Sequence, residues 1–420
     1  MLTLTRPARH YLVHASLLTF GLAISSLFYN LLLVALGYDE RAIALPFLGE
    51  LSLLGLLNGL PVLVAGLSSL PLWWLVSRVG PRPALVAGAL LHAGALLGAA
   101  LWPEPVPLLL CAAMSGPASV LFQVSAAPFM MRHSDAAGRD TLFALSAGLN
   151  IGVAGVGSLV GGLVPGLLAA NFQLPPESAA AYRATFVVAA ACTALAALPL
   201  LGRAGSRPVP ASPPPAPRAA HGEAASPGAV RQLLGAIRAG LPFMVSPLLI
   251  SCGAALLIPF LNLYFRERFG APDTALGAIF AAIGLATGAA TLAAPLLSRR
   301  LGKMGSVVLT QTLAIPCLLL LGLAPTLWVA AAVALARGAL MNMAAPLYDA
   351  YAMERSPEPA RPTVIGLING AFAAGYVVGP AVSAEVQRSY GFGPLFVATA
   401  GFYACAALAN YLLFLRRRAD

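Results

Sequence analysis

Twelve stretches of this chain are long enough to cross a lipid bilayer and carry almost no charge, lying at about 12–36, 43–76, 83–101, 106–130, 141–165, 183–202, 241–265, 274–298, 305–324, 327–352, 363–384 and 393–415. A crossing helix needs about 20 apolar residues at ~1.5 Å rise each, and inside hydrocarbon a backbone satisfies its hydrogen bonds only within a helix or a closed barrel. Runs of this length select helices, so the chain reads as an all-α membrane protein. Composition argues against a soluble globule. Only 10% of residues are charged and 59% are hydrophobic, with mean hydropathy +0.84, against about 25% charged in soluble domains. The first run, from Tyr11 to Leu36, is too long for a signal peptide and reads as a span. All five cysteines fall inside apolar runs with no metal or redox spacing.

The net charge of +10 does not imply nucleic acid, because the basic residues occur singly or in twos and threes between spans. With the N-terminus in the cytoplasm, nineteen of the 25 Arg and Lys fall in inward segments and five, Arg41, Arg183, Arg266, Arg268 and Arg388, in outward ones. Arg337 alone lies within a span. Basic loops resist translocation, so this bias puts both termini on the cytoplasmic side of a plasma (inner) membrane.

The second half repeats the first at an offset of 222 residues. Arg78 meets Arg300, Gly80 meets Gly302, Pro103 meets Pro325, Arg139 meets Arg361 and Gly157 meets Gly379, all in one register. Upstream the register breaks, although Phe28-Tyr29-Asn30-Leu31 still echoes Phe260-Leu261-Asn262-Leu263. Gly37 to Gly80 is eleven residues longer than Gly270 to Gly302, so span two is long or carries an extra outer segment. The division expected is a six-helix bundle over 1–202, a Pro-rich cytoplasmic linker over 203–240 and a second bundle over 241–420. Within the linker, Val230 to Arg238 suits a short surface helix.

Two parallel six-helix halves with short basic loops after spans two and eight resemble the major facilitator superfamily along essentially the whole chain. The loop after span two keeps Arg78, Gly80 and Arg82 of the family's motif but has Ser77 where the family has an acid. The second half offers Arg300, Gly302 and Lys303 at the same place, and Glu354 and Arg361 echo an inner-loop spacing of sugar porters. The resemblance implies an inner gate at these residues; plain anchoring by basic loops explains them as well. Gly157, Gly161 and Gly162 in span five, with Gly379 and Pro380 in span eleven, resemble a stretch associated with antiporting drug-efflux members. It implies hinges that let helices rock closely past one another.

Charged groups inside spans are expensive and mark function by default. Arg337 lies near the midplane of span ten, where its first-half equivalent is Ser115. Two readings stand, a substrate anchor and a salt bridge locking two helices. Glu50, placed within span two, is a proton-coupling candidate within reach of Arg337, or an acid near the interface. Asp349, near the inner end of span ten, suits an inner gate against Arg299, Arg300 or Arg361, or a snorkelling surface position. His92 reads as a satisfied core imidazole. Asn30, Asn262 and Gln123 add sparse neutral polarity, for binding or for helix-to-helix hydrogen bonds.

Taken together these residues describe a secondary active transporter working by alternating access. It needs no cofactor or nucleic acid and works as a monomer in the bilayer, expelling small amphipathic or lipophilic molecules with protons as coupling ion. Sugar or metabolite transport is the other expectation within the class. An embedded enzyme fits poorly, since no HExxH or GxSxG appears. A receptor that has lost transport would share the fold.

Overall fold

The computed structural model describes residues 4–45, 49–202 and 227–416 of the 420. Twelve helices among them are long and apolar enough to span a membrane: α1 (Arg6–Ala35), α2 (Leu53–Val79), α3 (Pro81–Leu101), α4 (Pro105–Arg132), α5 (Thr141–Phe172), α6 (Ala179–Leu201), α7 (Leu234–Phe269), α8 (Asp273–Leu301), α9 (Lys303–Gly322), α10 (Leu327–Arg355), α11 (Glu358–Tyr390) and α12 (Gly393–Leu415). The expected count of twelve holds.

Local chemistry sets the helix ends. Thr5, Ser178 and Thr326 cap α1, α6 and α10 by accepting from the amides of Ala8, Ala181 and Val329. Gly80 and Gly302, at φ +88° and +71°, turn the chain between α2 and α3 and between α8 and α9. A residue with a Cβ is strained at such angles, which accounts for glycine at both repeat-related turns.

The second span is corrected at its start. Before it lie the antiparallel strands β1 (Ala42–Leu45) and β2 (Gly49–Ser52), with Ala44 opposite Glu50, and α2 begins only at Leu53. These strands fall in the stretch where the first repeat is eleven residues longer than the second. Hydropathy alone merged an apolar hairpin with the helix that follows it. Glu50 is therefore not inside a span but exposed on a strand.

Residues 203–226, most of the expected Pro-rich linker, and 417–420 lie outside the described residues. The segment expected as a separate surface helix, Val230 to Arg238, is instead continuous with α7, in one helix from Pro227 to Leu257. Beyond it a short 3₁₀ turn at Ile258–Phe260 interrupts α7, where Pro259 has no N–H to donate.

The chain forms two compact units. The first contains Met1–Ala211 and Pro259–Leu285, the second Ser212–Ile258 and Ala286–Asp420. In the first, α1 packs on α5 and α6, α4 on α2 and α3, and α3 on α6, around Tyr11, Leu85, Phe129 and Leu142. In the second, α7 packs on α11 and α12, and α9 on α10 and α12, around Phe243, Val307, Tyr348 and Val364. Each pairing in the second unit has its repeat counterpart in the first.

Glycine sets these crossings. A methyl at Gly157 would stand 2.8 Å from Ala23 Cβ, and one at Gly161 would stand 3.2 Å from Ile24 Cα. In the second unit a methyl at Gly379 would run into Ala255, the repeat equivalent of Ala23. Gly157→Ala should therefore overpack the α1–α5 crossing and cost about 1–3 kcal/mol. Gly166→Ala in the same helix, with nothing within 4 Å of the added carbon, should be neutral or slightly stabilising. Apparent melting temperatures of the two purified variants check the contrast.

Candidate functional site

Each unit encloses a cavity. That of the first, about 380 Å³, is walled by α1 to α4, Phe186 and Pro259. Its polar side chains are spent on nearby partners. Ser115 Oγ donates to Ala112 O at 2.7 Å, Tyr29 OH to Leu57 O at 3.3 Å, and Asn58 Nδ2 to both Asn30 Oδ1 (2.8 Å) and Leu54 O (2.9 Å). His92, buried in the wall, has Nε2 3.4 Å from Ser119 Oγ. No Asp, Glu, Lys or Arg lines this cavity.

The second unit's cavity, about 320 Å³, differs in carrying charge. Arg337 of α10 lines it while only 6% exposed. The guanidinium lies near the hydroxyls of Tyr403 and Tyr376. Its Nε has no partner, and Arg337 forms no ion pair among the described residues. Asp349 lines the same cavity twelve residues on, about 18 Å along the helix axis, and also forms no ion pair. Gln311 is held by Asn410 Nδ2 at 3.0 Å, and Asn342 Nδ2 donates to Gly338 O at 2.8 Å.

Asn30 and Asn262 form a reciprocal latch inside the first unit. Asn30 Nδ2 donates to Pro259 O at 2.5 Å and Asn262 Nδ2 to Leu27 O at 2.7 Å. The amides and their acceptors are both related by one offset, 232 residues, so each segment uses the same side chain on the other's backbone. The Pro259 carbonyl is available because the 3₁₀ turn interrupts the helix there. Farther along α7, Arg266 pairs with Glu177 and with Asp273, and Tyr182 OH donates to Asp273 Oδ1 at 3.1 Å. Beside this cluster α5 and α8 touch without side chains. A methyl on Gly162 would stand 2.9 Å from Gly277 Cα.

The sequence profile of the Major Facilitator Superfamily matches residues 15–335 and 243–420. The chain belongs to the major facilitator superfamily. The protein is thus an integral membrane transporter. Its fold is similar to that of the nucleoside transporter NupG, at 14% identity, 97% of this chain and 99% of that one, TM-score 0.72. A bacterial homolog of the human lysosomal transporter Spinster, inward-facing and occupied, matches at 16%, 99% and 98%, TM-score 0.68. A D-xylose-proton symporter matches at 15%, 96% and 97%, TM-score 0.69. A search of curated proteins finds no matching sequence.

The superfamily's loop residues are held differently from the expectation. Arg78 lies over the Trp74 ring at 3.9 Å, while Arg82 donates to Leu200 O at 2.8 Å and also to Gly202 O. Ser77, at the acid's place, donates to Trp74 O within its own helix. In the second unit Lys303 pairs with Glu354, whereas Arg361 Nε donates to Met353 O at 3.0 Å, so Glu354 and Arg361 do not pair. Asp349 likewise pairs with none of Arg299, Arg300 or Arg361. Gln123 lies on an exposed face of α4, and Pro380 is buried in α11.

In this superfamily member the Arg266–Glu177–Asp273–Tyr182 cluster is the feature that sequence reasoning missed. Arg266 counted only as an outward basic residue. Its spacing of seven from Asp273 across the Gly270 turn was the available signal; Glu177 is 89 positions away and gave none. Replacing Asn30 and Asn262 together by Ala should loosen the latch. Alkylation of the cavity-lining Cys111 by an impermeant maleimide, applied from the hairpin side, should then quicken about thirtyfold, at ~1 kcal/mol for each of the two lost bonds. An unchanged rate would mean that the latch does not control access to the cavity.

Proposed function

We propose that this transporter is secondary and works by alternating access, moving small amphipathic molecules out of the cytoplasm against protons as a monomer of the inner membrane, both termini inside. The reciprocal Asn30–Asn262 latch is the observation that carries the alternating-access reading. A closure made of two side-chain amides on two carbonyls, with one ion cluster beside it, can open at a cost of a few kcal/mol, because each neutral bond contributes only about 1 kcal/mol net. An apolar seam of the same extent would hold more firmly. Orientation rests on the nineteen-to-five bias of basic residues.

The cavities support the amphipathic substrate. Their walls are mostly apolar with a few amides and hydroxyls, a lining that suits a body to be desolvated and a polar group to be oriented. The export direction rests on the close-packed glycines of α5 and α11, where bulky side chains would jam a rocking crossing. For coupling, Asp349 and His92 each line a cavity without an ion pair, and they stand ahead of Glu50 on its exposed hairpin.

The test uses inverted vesicles with an acid lumen. Adding a transported amphiphile should release protons at a rate that falls at least tenfold in Asp349→Asn or His92→Gln, as for loss of a positioned proton carrier. Substrate movement that continues undiminished without a proton gradient would remove the proton from this reading.

A further inference from the structure

Most polar side chains within the spans have a partner, and Arg337 is incompletely partnered. Its burial is nearly complete, its Nε is unsatisfied, no carboxylate pairs with it among the described residues, and it lines a cavity. A buried cation without a counter-charge is costly, and a salt bridge locking two helices, one of its two sequence readings, would have supplied one. Asp349 is too far along α10 to serve. The Tyr403 and Tyr376 hydroxyls beside the guanidinium are neutral and leave its charge in place.

We propose that the second unit's cavity binds the anionic head group of an amphipathic substrate, with Arg337 as its anchor. Resting on the transport reading, this assigns the substrate class at that site. A carboxylate, sulfonate or phosphate accepts the forked N–H groups that a guanidinium presents in a plane, and supplies the charge that the site lacks. The Tyr403 and Tyr376 hydroxyls lie near the guanidinium without neutralising it, and its N–H groups are left for the ligand. Phe372, Met341 and Ile250 on the same wall take the apolar body. Asp349 makes the cavity polar along its length, positive at Arg337 and negative at the far end, so an anion is oriented with its head away from Asp349. Ser115, the equivalent of Arg337, lines the other cavity with its hydroxyl bound to its own helix, so the anion site belongs to the second unit alone.

The test measures binding without transport. The full chain in phosphatidylcholine nanodiscs is titrated calorimetrically with naphthoate, naphthalenesulfonate and naphthyl phosphate, and with the matched neutral naphthalenemethanol. The anions should bind about 10- to 100-fold more tightly than the alcohol, the scale of one charge-assisted hydrogen-bonding group. Arg337→Gln should erase that preference and leave the alcohol unchanged. Arg337→Lys should weaken the anions while retaining part of the preference, and Tyr403→Phe should weaken them several-fold. If the Gln variant does not fold, the Lys and Phe variants decide.

Phosphatidylglycerol in the disc that blocks naphthoate in an Arg337-dependent way would identify a lipid phosphate as the anion; no effect would leave soluble anions as the ligands. The proposal is overturned if no anion binds, if the alcohol binds equally, or if anion affinity survives loss of Arg337 in a folded protein. Anion binding without any flux in vesicles would instead remove the transport reading and leave the site. Flux of amphiphiles that ignores Arg337 would do the reverse.

Discussion

A polar group in hydrocarbon that lacks a partner costs several kcal/mol, and this cost organises the protein at every scale. At the level of the backbone it leaves only helices for the spans. Within the helices it folds hydroxyls back onto carbonyls a turn earlier, as at Thr185, Thr193, Ser306 and Thr310. At the next level it makes the Asn30 amide reach across to the carbonyl that a 3₁₀ turn has released, at Pro259, and the Asn262 amide to Leu27 O. It also gathers Arg266 with two carboxylates and a tyrosine. Arg337 stands out against this background because the same rule is incompletely obeyed there.

The repeat explains why the latch is reciprocal. Two segments descended from one pattern present the same amide and the same acceptor position, so a contact available to one is available to the other. Gly157 against Ala23 and Gly379 against Ala255 show the same logic in packing. The departures from symmetry are as informative. The β1–β2 hairpin exists in one repeat only, and Arg337 answers to Ser115. Both departures lie in a scaffold whose helix packing is otherwise repeated.

Much of this was legible from residues alone. Spans, their number and the repeat follow from apolar run length and from identities in register, which are properties of the chain read in order. Where hydropathy was the only guide it merged strands β1 and β2 with α2, since apolar alternation and apolar helix score alike. Of the candidate residues, Arg337 and Asp349 do line one cavity, and Gly157, Gly161 and Gly379 do sit at close crossings. Asn30 and Asn262 were named for their polarity, but their partnership could not be seen, because the acceptors are backbone carbonyls common to every sequence.

The amino-acid sequence by itself determined that the chain must enter a membrane as helices, because no other fold satisfies the backbone of such long apolar runs. It determined the repeat and the scarcity of charge as well. Only the tertiary structure decided which charges meet. Glu354 takes Lys303 rather than Arg361, Arg266 takes Glu177 across 89 positions, and among the described residues Arg337 takes no acid. Ion pairing depends on distance in space at the scale of a few ångströms, and helix packing sets that distance where residue order does not.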